Sequence, residues 1–225
     1  MGQAIGDILP MAVGVAISPV PIIAIVLMLG TPRARSNGPA FAIGWLIGLS
    51  IAGGVVLALA SGRAQEDGDE PATWVSAVKL VFGVLFVLLA ARTWRGRPRG
   101  DEAAAMPKWM QAIDKFEAGK ALGAGVVLSA LNPKNLALTI AAAAAIAQAG
   151  ISTGEEIGAL AVFILLGSLS ILAPLAIYFV LGERATATLG ELKDWMAANN
   201  AAIMTVLLLV LGAKLIGDAV AGLSQ

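Results

Sequence analysis

The chain has 225 residues, 58% of them hydrophobic and 13% charged, which is about half the charge of an ordinary soluble domain. Its 15 Lys and Arg balance its 15 Asp and Glu, so net charge points to no partner, nucleic acid included. With no Cys and no His, disulfides, thiolate metal sites and the commonest general base are excluded.

A membrane span needs about 20 largely apolar residues. Six stretches qualify, at 8–30, 39–60, 73–92, 121–148, 156–181 and 198–220. They predict an all-α integral membrane protein, a single transmembrane domain over residues 1–225. No basic n-region precedes the first span, so it is expected to be retained rather than cleaved as a signal peptide.

The first span carries Ser18-Pro19-Val20-Pro21 in its middle. Proline removes a backbone donor and disturbs the preceding turn, so this helix is expected to be kinked or broken. In the second span Gly44 and Gly48 lie four residues apart, a spacing that lets helices approach closely in lipid. The third span contains Lys79 and the sixth Lys214, each about two turns from a span end, where a long side chain can snorkel to water. Lys214 also has Asp218 one turn on as a partner.

Between the third and fourth spans lies a long basic linker, about 93–120. Met106, Trp109, Met110, Ile113 and Phe116 recur there at helical spacing. They predict a short amphipathic helix lying on the cytoplasmic membrane face, or else packed on the protein itself.

The fourth span contains the least expected residues for a bilayer, Asn132-Pro133-Lys134-Asn135, preceded by Ser129. An intramembrane Lys costs about 3 kcal/mol or more, so it is expected to face a bundle interior or a cavity. Two Pro-interrupted helices in matching positions of two halves point to a transporter's substrate site. Ser18 and Asn132 each precede a proline, as a cap precedes the first residue of a helix. Two half-helix N-termini would then face each other near the midplane, and with Lys134 they favour an anionic group. The candidate substrate-binding residues are therefore Ser18, Pro19, Pro21, Ser129, Asn132, Pro133, Lys134 and Asn135.

No Asp or Glu lies mid-span, since Asp7 and Asp218 are near span ends. Hard-metal sites and carboxylate proton relays are therefore disfavoured, and neither a metal nor a cofactor is expected. An enzyme is not expected either: beyond a Ser–Lys pairing of Ser18 or Ser129 with Lys134, no nucleophile–base arrangement is available.

Orientation follows from the basic residues. Eleven of the 15 Lys and Arg fall on the first, third and fifth linkers, counting Arg92 at the edge of the third. Cytoplasmic loops carry such an excess, so both termini are expected outside the plasma membrane. Three spans per half then require any repeat of 1–3 in 4–6 to be inverted. Gly14-Val15-Ala16-Ile17-Ser18 resembles Gly125-Val126-Val127-Leu128-Ser129, and Gly48-Leu49-Ser50 has a counterpart in Gly167-Ser168-Leu169-Ser170. The predicted fold is thus a 3+3 inverted repeat with discontinuous or kinked first and fourth helices.

Ser-Pro-x-Pro-Ile (Ser18 to Ile22) and Asn-Pro-Lys-Asn (Asn132 to Asn135), set in six spans with a long basic third linker, resemble the GAP family. These are the actinobacterial glycolipid- or sulfolipid-addressing proteins of the lysine-exporter (LysE) superfamily. The resemblance covers nearly the whole chain and implies help in exporting anionic cell-envelope glycolipids to the surface. The partners it implies are membrane lipids, an anionic glycolipid substrate, a larger lipid transporter and further copies of the chain. Two alternatives stand beside it: a LysE-type exporter of amino acids or other small solutes, and a structural partner of a larger lipid transporter. A solute exporter would hold a ligand-sized pocket closed to lipid, whereas a lipid handler would open sideways between spans.

Overall fold

A computed structural model describes residues 1–66, 73–97, 110–182 and 184–223. Among these the chain is helical, with no strand. In order come α1 (Gly2–Ala16), α2 (Pro19–Leu29), α3 (Ala34–Glu66), α4 (Thr73–Arg95), a 3-10 turn (Met110–Lys115), α5 (Ala118–Val126), α6 (Pro133–Ala147), α7 (Thr153–Leu181) and α8 (Arg184–Leu223). A π turn, Val127–Leu131, prolongs α5.

Four helices, α3, α4, α7 and α8, are long and apolar enough to cross a membrane. Two further spans arise if each bent pair is counted as one. The α1–α2 pair bends by 52° and the α5–α6 pair by 60°. Proline causes both bends. Pro19 and Pro133 each sit at the first position of a new helix, where a missing N–H costs nothing.

The outer surface is apolar in the way a lipid-facing surface must be. On α3, Ile43, Ile47, Ile51, Val55 and Leu59 recur every fourth residue, and all are exposed. That stripe is one face of a helix. The inside is built from α2 and α6. Ile22 through Val26 are all buried on α2, and Ala141 through Ala144 on α6. An alanine run surrounded by other helices allows the close packing that replaces hydrophobic driving force in lipid.

Around this centre, α3 packs on α5 and α6, α7 on α1 and α2, and α4 on α8. Glycine makes the closest contacts. A Cβ at Gly44 would meet the Leu122 carbonyl, one at Gly48 the Ser129 hydroxyl, and one at Gly125 the Phe41 carbonyl. Gly44 and Gly48 thus serve the α3–α5 contact, as their spacing suggested. Gly83 and Gly212 do the same where α4 crosses α8, since a Cβ on Gly212 would lie 2.9 Å from the Gly83 carbonyl oxygen.

Two elements add to their sequence expectation. Residues 98–109 of the third linker, Met106 and Trp109 among them, lie outside the described residues. The described part packs on the protein, the second of the two expectations for it. Ile113 is buried, and the Phe116 carbonyl accepts from Asn37 Nδ2 at 2.9 Å and Arg33 at 3.3 Å. The sixth span is expected from 198, yet α8 begins at Arg184. Its polar first half is held because Ala185, Leu189 and Met196 are buried and α8 packs against α2.

Candidate functional site

In a continuous helix, the carbonyls of Val15 and Ile17 would accept from the N–H groups of residues 19 and 21. Both are prolines and have none. The Ser18 N–H, natural partner of the Gly14 carbonyl, turns instead to Ala16 at 2.9 Å. The first break therefore leaves three carbonyls in need of donors, in a place where water cannot be assumed. An orphaned carbonyl in a bilayer costs several kcal/mol.

The second break supplies them. Lys134 is 5% exposed, and its ammonium donates to Gly14 O at 2.6 Å, Ile17 O at 3.1 Å and Ser18 Oγ at 2.6 Å. The three hydrogens of an ammonium meet three acceptors. Ser18 Oγ donates in turn to Val15 O at 2.8 Å, with Asn135 Oδ1 at 3.2 Å as a second acceptor in reach. Ser18 makes no side-chain cap: Pro21, at the third position of α2, has no N–H, and Ser18 does not take that of Val20.

The second break is closed by its own side chains. Asn132 Oδ1 accepts the Lys134 N–H at 3.0 Å as the cap of α6. Asn135 Nδ2 donates to Leu128 O at 3.1 Å, and Thr139 Oγ1 to Asn135 O at 2.8 Å. Ser129 is fully buried in the π turn and bonds Val126 O at 3.1 Å.

All eight predicted residues lie at or beside this junction. Ser18, Pro19, Pro21, Asn132 and Lys134 also line a cavity of about 220 Å³, together with Val20, Thr93, Asn200 and Met204. Ser129, Pro133 and Asn135 do not line it. Asn132 caps α6 as expected, and Ser129, which matches Ser18 in the sequence repeat, lies three positions earlier inside the π turn. Lys134 was expected to stand unneutralised. It has no carboxylate partner among the described residues, yet its hydrogens are occupied by the carbonyl end of α1. The sequence signal for this was two prolines two residues apart, which orphan two carbonyls at once. Thr93, Asn200 and Met204 carried no local signal, since only the packing of α4 and α8 brings them to the breaks.

The Ser–Lys pairing allowed by the sequence exists as a distance, and what it does here is close the first break. Lys214 and Asp218 pair as expected at 2.6 Å. They lie at the far end of the bundle, where Lys79 and Asp218 line a separate cavity of about 570 Å³ with Met1 and Asp7.

Helices of spanning length, two broken helices and a buried lysine joining them define a polytopic membrane protein organised around a discontinuous-helix junction. Within that class the particular family is clear. Residues 8–221 match the family described as Sap, sulfolipid-1-addressing protein, and the chain belongs to it. No curated protein and no solved structure matches the chain.

Proposed function

We propose that this protein resides in the cell membrane and helps carry anionic cell-envelope glycolipids to the surface. Membership of a sulfolipid-addressing family supports the lipid class. The observation that carries the site is an intramembrane ammonium without a carboxylate partner among the described residues, beside a small cavity.

The charge balance favours an anion. Each helix end contributes about half an elementary charge, negative at a C-terminus and positive at an N-terminus. Two ends of each sign meet at the junction and cancel to first order, which leaves the Lys134 charge. Local hydrogen bonds satisfy the ammonium without neutralising it. Backbone donors contribute less than the half-helix picture suggests. Pro19, Pro21 and Pro133 carry no N–H, and Asn132 takes that of Lys134. Ser18, Pro19, Pro21, Asn132 and Lys134 are the proposed substrate contacts, with Ser129, Pro133 and Asn135 holding them in place.

Six spans in a 3+3 inverted repeat of the LysE-superfamily kind complete the reading. The packing supports it, because α3 sits on α5 as α7 sits on α1, and α4 crosses α8 at facing glycines. The Lys and Arg distribution supports cytoplasmic odd-numbered linkers and outward termini.

The test is a deletion strain complemented with wild type or Lys134→Met at matched membrane abundance. Surface glycolipid should fall in the deletion and stay low with the variant, while amino-acid efflux is unchanged. Normal surface lipid with altered efflux would overturn the proposal in favour of solute export.

A further inference from the structure

The cavity at the junction has a depth that can be read from its neighbours. Thr93 precedes Trp94, which is 47% exposed and carries the Arg97 guanidinium 3.7 Å from its ring centroid. Asn200 follows Trp195 by little more than one turn of α8, and Trp195 is 59% exposed. Exposed tryptophans flanked by Arg and Lys mark the level of lipid headgroups. Thr93 and Asn200 thus set the cavity mouth at headgroup depth, and Lys134 and Ser18 set its inner end deeper in the bundle.

The mouth also has a side. Both α2 and α4 pack on α8 but have little contact with each other. The cavity lies between them, with Val20 of α2 and Thr93 of α4 on its walls. Next to its Asn132 wall, Leu131 is 67% exposed on the outer surface of the bundle.

The lining is mostly apolar, and the few polar groups at the mouth are uncharged. Thr93 offers a hydroxyl, Asn132 the amide hydrogens not used in capping, and Asn200 a carboxamide whose Oδ1 is buried and unpartnered. A buried acceptor without a donor is costly, so turning the Asn200 carboxamide toward a ligand hydroxyl in the cavity removes a deficit. A volume near 220 Å³ equals about seven water molecules, close to one hexose ring.

From these observations we infer that the cavity is a lateral portal. A lipid of the leaflet at the basic end inserts a sugar ring between α2 and α4, and Thr93, Asn132 and Asn200 bind its hydroxyls. This rests on the lipid-handling reading above, but it concerns the uncharged part of the headgroup and its route of entry.

The absence of Cys makes a direct test possible. Single variants Thr93→Cys and Leu192→Cys are reconstituted in phosphatidylcholine vesicles containing a phosphatidylethanolamine with a headgroup-tethered maleimide. Leu192 is exposed on the first half of α8 and reports general access at that end. Both positions should label. A neutral glucosyl-diacylglycerol should slow labelling at 93 several-fold and leave 192 unchanged. Adding Asn200→Leu, or the milder Asn200→Ala, should abolish the slowing without changing the rate at 192, which also reports an intact fold.

Labelling of 93 by a soluble maleimide but not the lipid-tethered one would overturn lateral entry. Equal labelling with and without the glucosyl lipid, or protection that survives both Asn200 variants, would overturn sugar recognition. These vesicle results stand apart from the deletion-strain experiment, so failure of one reading is distinguishable from failure of the other.

Discussion

Replacing Lys134 by Met removes the three donors that close the first break, and the size of the effect can be worked from the junction. Gly14 O and Ile17 O lose the only side-chain donor that reaches them among the described residues. An unsatisfied buried acceptor costs about 1–3 kcal/mol, so the two together cost roughly 2–6 kcal/mol. Removing an intramembrane charge returns about 3 kcal/mol on insertion scales. The expected net change therefore runs from a gain of about 1 kcal/mol to a loss of about 3 kcal/mol, and the single variant alone is a weak test. Pro21→Ala sharpens it, because residue 21 then carries an N–H that can serve the Ile17 carbonyl or the Ser18 hydroxyl. In that background Lys134→Met should cost less by about 1 kcal/mol, the net worth of one hydrogen bond. Unfolding in micelles, run as a four-member double-mutant cycle, measures this coupling. Additivity within about 0.5 kcal/mol, the range expected of independent sites, would refute the claim that the lysine stands in for donors the prolines removed.

Other consequences are simpler to read. Gly125→Ala should destabilise by about 1–3 kcal/mol, the range for overpacking, because its Cβ meets the Phe41 carbonyl and lies 2.7 Å from Trp45 N. Gly123→Ala, with nothing within 4 Å, should be neutral or mildly stabilising by the same melting assay. Gly68→Cys should label from outside intact cells and Arg97→Cys only after permeabilisation, and the reverse pattern would invert the proposed orientation. Lys134→Arg should impair lipid export more than its retained charge suggests, because a planar fork cannot place three hydrogens on Gly14 O, Ile17 O and Ser18 Oγ. Wild-type export by this variant would mean that charge alone matters at the junction.

Much of this architecture was legible in the chain because membranes punish irregularity. A proline pair and an Asn-Pro-Lys run inside spanning stretches could only be tolerated at breaks, and the breaks lie where they were expected. What the residues do at the breaks was harder to read. Lys134 looked like a bare charge, since hydropathy and motif spacing describe side chains and not unpaired carbonyls. Counting the N–H groups missing at Pro19 and Pro21 would have shown an acceptor surplus. The Thr93, Asn200 and Met204 walls lay beyond any local pattern. Thr93 sat at the end of a span and Asn200 just inside one, and only the crossing of α4 and α8 at Gly83 and Gly212 carries them to the same cavity. The early start of α8 was hidden for a related reason. Its polar first half is amphipathic against α2, and a mean over the window conceals a periodic face.

The two breaks are alike in their bend but opposite in chemistry. The first break, with two prolines after Ser18, has more acceptors than donors. The second, with a lysine after Pro133 and two asparagines around it, has donors to spare and caps itself. Neither surplus can be left in lipid. The α1–α2 break is therefore incomplete until α6 packs against it. The same dependence ties the two bent helices into one unit in the finished protein. A movement that parts α6 from the end of α1 must break bonds at 2.6 Å to Gly14 O and to Ser18 Oγ together.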